Sequence, residues 1–165
     1  MNSMTVCELY VKIDEPFQGY LDEGWLRRLV EKTLAMEGMI SPVELGLVIT
    51  DDETIHQLNR SYRGRDETTD VLSFALSENS QDAAGIPFIA PPDGTSHLGE
   101  VLISYPQAVV QAKEHKHPVE REIALLVIHG MLHLLGHEDE DEVAEARMRT
   151  AEQRVLGELT DEHLL

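Results

Sequence analysis

A chain of 165 residues is long enough to bury a real core, and we expect residues 1–165 to form a single domain. Its 13 basic and 31 acidic side chains give a formal net charge of −18, which argues against general electrostatic binding to nucleic acid, so an anionic substrate must be held locally. No apolar run reaches the roughly 20 residues of a membrane-spanning helix, and the first residues lack the order of a signal peptide, so we expect a cytoplasmic protein without a membrane partner.

Predicted strands and helices alternate in the first part of the chain. Residues 4–13 are rich in β-branched and aromatic side chains and residues 43–49 alternate, which predicts two strands. Between them, residues 22–37 carry apolar side chains at helical spacing and predict an amphipathic helix. Residues 50–53 have the order of a capping box, so a second helix should begin there. The single cysteine, Cys7, excludes an internal disulfide, and we expect a small core residue without a function.

Three arginines lie close together around the end of this second helix, in an otherwise acidic chain. They are Arg60, Arg63 and Arg65. A planar guanidinium binds two phosphate oxygens at once, so the group predicts a local anion-binding site. The alternative is a solvated helix end, where cations favour the helix dipole without any ligand.

The second part of the chain continues with a predicted hairpin and three helices. Residues 71–76 and 97–104 predict two strands that pair antiparallel, and the glycines and prolines of residues 77–96 predict a mobile loop between them. A short helix is expected at 106–116. The last helix, at 141–157, is rich in alanine, glutamate and arginine and is expected to pack weakly because its apolar content is low.

The most apolar run of the chain, residues 123–135, carries only two polar side chains, His129 and His133. Residues four apart share one helical face, so both imidazoles of this buried helix should point the same way. Gly136 is expected to end the helix and let the chain turn back. Three following residues could then approach the same spot: His137, Glu138 and Asp139.

A metal ion is the simplest use of two imidazoles at this spacing, since a further ligand and an open position for water complete a zinc site. The alternative is a pair of core histidines satisfied by hydrogen bonds. The helix-ending glycine and the acidic residues that follow favour the metal. Zinc proteases of the His-Glu-x-x-His type carry a glutamate directly after the first histidine. This chain has Gly130 there, which argues against ordinary metalloprotease chemistry.

Several segments, in this order along the chain, are similar to the YbeY family, the bacterial single-strand-specific endoribonucleases that act in ribosomal RNA maturation. The segments are Leu58-Asn-x-x-Tyr-Arg63, Thr69-Asp-Val-Leu-Ser-Phe74, Leu98-Gly-Glu-Val101, His117-x-x-Glu-Arg-Glu122 and His129-Gly-x-Leu-His-Leu-x-Gly136. Each is weak alone, but the set is highly specific. The resemblance implies an α+β fold in which helices flank a small mixed four-stranded sheet, with the metal site at the end of a buried helix.

The resemblance also implies function. It predicts a hydrolase with one zinc ion that cleaves single-stranded RNA, acts late on the 3′ end of the 16S rRNA precursor and in ribosome quality control, and has the small ribosomal subunit, and not DNA, as its partner. Arg63 corresponds to the family's functional arginine. With zinc lowering the pKa of its bound water to about 7, Arg63 would supply the complementary donor to the phosphate. Attack by a ribose 2′-OH is equally open.

The third metal ligand departs from the family pattern of His-x3-His-x5-His. Asp139 stands where the family has histidine, and His137 stands where it usually has tyrosine. Two histidines and a carboxylate remain an acceptable zinc set. Since the chain reverses after Gly136, His137 should point away or pack back on the last turn, while Asp139 has room to fold over the helix end. We therefore expect zinc on His129, His133 and Asp139.

Two other functions share the predicted metal. One is a zinc-dependent peptidase or amidohydrolase, which needs a glutamate base found elsewhere, such as Glu138 or Glu100. The other is a non-catalytic ribosome-assembly factor with a structural metal, which predicts a closed site of four ligands.

Overall fold

The computed structural model describes residues 7–39, 42–75, 96–138 and 140–162. Within these ranges one mixed sheet has four strands in the order β1-β2-β4-β3. Their bounds are β1 Cys7–Ile13, β2 Val43–Thr50, β3 Val71–Ala75 and β4 Ser96–Ser104. β1 and β4 run parallel to β2, whereas β3 runs antiparallel to β4. The predicted α+β class, the mixed sheet and the antiparallel pair are confirmed.

A short 3₁₀ helix and five α-helices accompany the sheet in the described ranges. The 3₁₀ helix is Glu15–Phe17, and the α-helices are α1 Glu23–Met36, α2 Asp52–Arg63, α3 Tyr105–His115, α4 Val119–Leu134 and α5 Glu142–Asp161. None of these helices is long and apolar enough to cross a membrane. Each predicted helix is present, with bounds shifted by a few residues.

The start of α2 corrects the predicted capping box. Its cap is Asp51, whose carboxylate accepts a hydrogen bond from the Thr54 amide at 2.7 Å. This bond and the others that the carboxylate accepts there lower the pKa of Asp51. Thr50 is instead the buried last residue of β2, and its hydroxyl donates to Asp14 at 2.5 Å. The capping signal was therefore one residue out of register, because Thr50 is needed by the strand.

α4 is the central helix of the fold. It begins after Pro118 and contacts β3, β4 and the helices α1, α3 and α5. An amphipathic helix has one solvated face, but a helix with neighbours on most sides must be apolar almost all round. This is why residues 123–135 contain so few polar side chains. The two exceptions, His129 and His133, are only partly buried.

α5 corrects the expectation that the last helix packs weakly and ends at residue 157. It continues to Asp161 and buries five side chains: Met148, Ala151, Val155, Leu156 and Leu159. Members of this set that are three or four residues apart share one face of the helix, which packs against the core. The high alanine and glutamate content of the helix conceals this narrow, mostly apolar face.

Two glycines allow the backbone to approach the sheet closely. A Cβ at Gly99 in β4 would lie 1.9 Å from the carbonyl oxygen of Phe74 in β3, and the residue has a φ of +131°. A Cβ at Gly130 in α4 would lie 2.6 Å from Cγ1 of Val101. Gly130 therefore brings α4 against the sheet directly beside the first histidine.

Cys7 is half-buried against the core, as expected of a small packing residue. Burial raises the pKa of its thiol to about 11, so the thiol is protonated at neutral pH and is a poor nucleophile. Three predictions lie outside the described residues: the start of the first strand at 4–6, residues 77–95 of the predicted loop, and Asp139. The single domain over residues 1–165 also stays a prediction.

Candidate metal-binding active site

The two predicted histidines face each other at the C-terminal end of α4. Their Nε2 atoms are 3.2 Å apart, and the rings meet nearly edge to face at 79°. Two imidazole nitrogens, each bonded to a tetrahedral zinc at its usual length of about 2.0–2.1 Å, are separated by about 3.3–3.4 Å. The pair thus stands close to the spacing that a shared metal ion requires.

Glu152 of α5 orients the first histidine. Its Oε1 lies 2.7 Å from Nδ1 of His129, and its side chain is only 17% exposed. When the carboxylate accepts a hydrogen bond from Nδ1, Nε2 of His129 carries the lone pair towards His133. Metal-binding histidines commonly have such a partner on the other ring nitrogen. The donor set therefore fits a metal ion.

Sequence reasoning missed Glu152, although a signal was present. The residue lies one turn after Met148 and next to Ala151, on the buried face of α5. A carboxylate at such a position must find a partner, because burying it alone is costly. The partner's identity depends on how α5 packs against α4, which no local spacing reports.

Arg63 lies at the end of α2 and is held by β3. Its Nη2 donates to the carbonyl oxygen of Ser73 at 2.6 Å, and its guanidinium carbon lies 5.6 Å from the centre of the Phe74 ring. The hydroxyl of Ser73 donates in turn to the carbonyl oxygen of Gly130 in α4, at 3.0 Å. Ser73 therefore connects the arginine to the histidine-bearing helix, a role that the sequence did not indicate.

Arg63 and both histidines line one cavity of about 450 Å³. The described residues around it are Arg63, Arg65, Val71, Ser73, Ala75, His129, His133, His137, Glu138 and Glu140. Two of the three predicted arginines thus share the cavity, whereas Arg60 is exposed outside this lining. The cavity has cations on the α2 side and imidazoles on the α4 side, which suits an anion held beside a metal ion.

The turn after α4 brings His137 back towards the protein. Gly136 has a φ of +100°, and the amide of His137 donates to the carbonyl oxygen of Leu132 at 2.9 Å, so the predicted glycine stop is confirmed. The His137 ring lies at the cavity but contacts Oε1 of Glu37 through Nε2, at 2.5 Å. Asp139 lies outside the described residues, so the choice of third ligand stays a prediction.

The peptidase alternative finds little support in this geometry. Gly130, at the position of the protease glutamate, has no space for a side chain. Glu100 lies beside Gly46 of β2, with its Cγ 3.3 Å from where a Cβ of that glycine would be. Since Val101 contacts α4, alternation along β4 puts Glu100 on the opposite face of the sheet. Glu138 does line the cavity.

A second group of metal-ligand side chains lies near the start of α4. Ligand atoms of His115, His117 and Glu122 lie within 4.8 Å of one another and could hold a metal ion. His115 ends α3, His117 lies in the connection, and Glu122 is in the first turns of α4. The sequence motif drew attention to His117 and Glu122 but gave them no ligand role.

Comparison with known proteins agrees with the motifs. The family model described as "Endoribonuclease YbeY" matches residues 15–160. The chain belongs to the YbeY family. An Endoribonuclease YbeY from Roseiflexus sp. (strain RS-1) is 46% identical over 150 residues, covering 90% of this chain and 91% of the relative. A YbeY from Dehalococcoides mccartyi is 48% identical over 145 residues, covering 87% and 84%.

The YbeY assignment also agrees with a solved fold. A solution structure of a Thermotoga maritima protein superimposes with a TM-score of 0.56 at 23% identity, covering 94% of each chain. At this identity the likeness supports the α+β architecture alone. The resemblance to the YbeY family found in the motifs is confirmed.

Proposed function

We propose that this protein is a metal-dependent endoribonuclease that cleaves single-stranded RNA during ribosomal RNA maturation. The observation that carries the proposal is one cavity lined by Arg63 on one side and by His129 and His133 on the other. The relatives' name, Endoribonuclease YbeY, supports the same reaction class. Phosphodiester hydrolysis needs a nucleophile and a stabiliser of phosphate charge, and the two sides of the cavity are suited to these two tasks.

His129 and His133 would hold the metal, with Asp139 as the expected third ligand. A bound zinc ion would lower the pKa of a water molecule to about 7 and polarise a phosphate oxygen. Glu152 keeps the His129 ring in the tautomer and orientation that binding needs. Zinc suits imidazole and carboxylate ligands, and we propose one zinc ion at this site.

Arg63 would bind the scissile phosphate. Its guanidinium is already positioned by the Ser73 carbonyl and by the Phe74 ring, so little freedom is lost when an anion binds. Arg65 provides a second cation on the same wall. Glu138 and Glu140 also line the cavity and would repel a phosphodiester, so binding of RNA should depend on a metal ion that offsets their charge.

The charge of the chain bears on where the protein finds its RNA substrate. A net charge of −18 gives no broad surface attraction to RNA, so contacts beyond the cavity must come from a partner. We propose that the small ribosomal subunit, carrying the 16S rRNA precursor, is this partner, and that the protein acts in the cytoplasm.

The test is cleavage of matched single-stranded and duplex RNAs by zinc-loaded and chelated protein. We expect cleavage only of the single strand and only with metal, and its loss in His133→Ala. A folded, zinc-loaded protein that cuts neither RNA but still binds small subunits would contradict the endonuclease and favour an assembly factor. Cleavage of a peptide or amide substrate instead would favour the alternative hydrolase.

A further inference from the structure

The connection between α3 and α4 gathers two imidazoles around one buried carboxylate. Oε1 of Glu122 lies 2.6 Å from Nε2 of His117 and 3.1 Å from Nδ1 of His115. The Glu122 side chain is only 4% exposed, while those of His117 and His115 are 18% and 56% exposed. The group therefore has a buried anionic base and an open side that faces solvent.

The backbone of this connection directs both rings to the same carboxylate. Lys116, between the two histidines, has a left-handed φ of 58° and is the one non-glycine residue with positive φ in the described ranges. The amide of His117 donates to the carbonyl oxygen of Ala112 at 3.0 Å, which fixes the turn to the end of α3. The chain reversal at Lys116 thus brings the rings of His115 and His117 to the same side, beside the Glu122 carboxylate.

The ligand atoms of this group suit a divalent cation. A carboxylate buried to this extent needs compensating partners, and a bound divalent cation would compensate its charge directly. Two imidazoles and a carboxylate are a zinc ligand set, with a fourth position for water. Ligand atoms on a tetrahedral zinc are about 3.3 Å apart, so the His115 contact already fits and the His117 contact must open by about 0.7 Å.

We propose that His115, His117 and Glu122 form a second zinc site, separate from the one at His129 and His133. Glu122 and His129 are seven residues apart on α4, which is about 10.5 Å at a rise of about 1.5 Å per residue. The second ion joins the end of α3 to the start of the helix that carries the active-site histidines. Its effect is on the stability of that helix, with no contact to the RNA.

The test uses the double variant His129→Ala/His133→Ala, which removes the first site, and titration with Co²⁺ and Zn²⁺. We expect about two equivalents bound in the wild-type chain and about one in the double variant, with a tetrahedral cobalt absorption and a raised melting temperature. Adding Glu122→Gln, which keeps a hydrogen-bond acceptor but supplies a poor ligand, should abolish the remaining equivalent.

The matched control is His56→Ala. His56 also contacts a carboxylate, that of Asp66 at 2.6 Å, but belongs to no three-ligand group in the described residues. In the double-variant background, His115→Ala should weaken metal binding by more than about tenfold, because loss of a hydrogen-bond partner behind a metal ligand already costs about 10–100-fold. His56→Ala should leave metal binding unchanged. In the otherwise unchanged chain, His115→Ala should retain RNA cleavage.

Two results would overturn the second site. One is a folded double variant that binds no cobalt or zinc. The other is a double variant that still binds one equivalent of metal after Glu122→Gln or His115→Ala and loses it only on substitution of residues outside this group. Both results are measured as metal stoichiometry, so neither depends on the proposed nuclease activity. A wild-type chain that binds two equivalents of metal but cleaves no RNA would contradict only the proposed activity.

Discussion

Replacing Gly130 with alanine tests whether the closeness of α4 to the sheet determines the active site. The added Cβ would lie 2.6 Å from Cγ1 and 3.2 Å from Cγ2 of Val101, and 3.1 Å from Oγ of Ser73. Val101 is fully buried and β-branched, so its methyl groups have no easy way to move. The helix must shift, or the strand must.

The magnitude follows from two opposing effects. Alanine in place of glycine inside a helix stabilises by about 1 kcal/mol. Overpacking a filled core costs about 1–3 kcal/mol. We therefore expect Gly130→Ala to lower the free energy of unfolding by about 0–2 kcal/mol, which corresponds to a fall in melting temperature of up to roughly 8 °C for a chain of this size. RNA cleavage should fall more than stability does, because the shift moves His129 relative to Arg63.

Gly157→Ala is the matched control. Gly157 also lies inside a helix, α5, but a Cβ there would meet nothing within 4 Å. This variant should gain about 1 kcal/mol and keep its cleavage rate. Thermal melting and cleavage of single-stranded RNA by all variants are the assays. The packing argument is refuted if Gly130→Ala raises the melting temperature as much as Gly157→Ala does. It is also refuted if Gly130→Ala destabilises the protein equally in the wild-type chain and in a Val101→Ala background, where the clashing methyl groups are absent.

The remaining predictions concern the metal and the arginine. Chelation of a metal-loaded protein should lower the melting temperature by several degrees, since metal at about 100 times its dissociation constant stabilises the folded state by about 2.7 kcal/mol. Equal melting temperatures with and without chelator would contradict a metal site that stabilises the fold. Arg63→Lys should retain folding and metal content but lose most RNA cleavage, and unchanged cleavage would remove Arg63 from the reaction. Glu152→Gln should weaken metal binding by about 10–100-fold in a chelator competition, whereas unchanged affinity would make the contact structural. Metal content by elemental analysis should fall steeply in Asp139→Ala, only slightly in His137→Ala, and remain in Asp139→His; full content in Asp139→Ala with loss in His137→Ala reverses the assignment.

The part of the site that depends on local spacing was predictable from the sequence. His129 and His133 share a helical face because they are four residues apart, and the Gly136 stop follows from a conformation that glycine favours. Parts that depend on tertiary packing were not predictable. Glu152 reaches His129 only because α5 lies beside α4, and Ser73 connects Arg63 to α4 only because β3 lies against that helix.

The same distinction explains the errors in the fold. The last helix was expected to pack weakly because its composition is polar, but packing depends on whether its few apolar residues share a face. Thr50 fits the local pattern of a helix cap, but its hydroxyl contact to Asp14, which belongs to the strand, cannot be seen from the local sequence. In both cases a partner distant in sequence decided between two allowed local structures.

The glycine at position 99 has a consequence for how the active site is assembled. Because any side chain there would collide with the Phe74 carbonyl, the glycine allows β3 to lie this close to β4, with Gly99 opposite Ala75. By allowing this close pairing of the two strands, Gly99 helps to position Ser73, and Ser73 in turn connects Arg63 to the helix that carries His129 and His133.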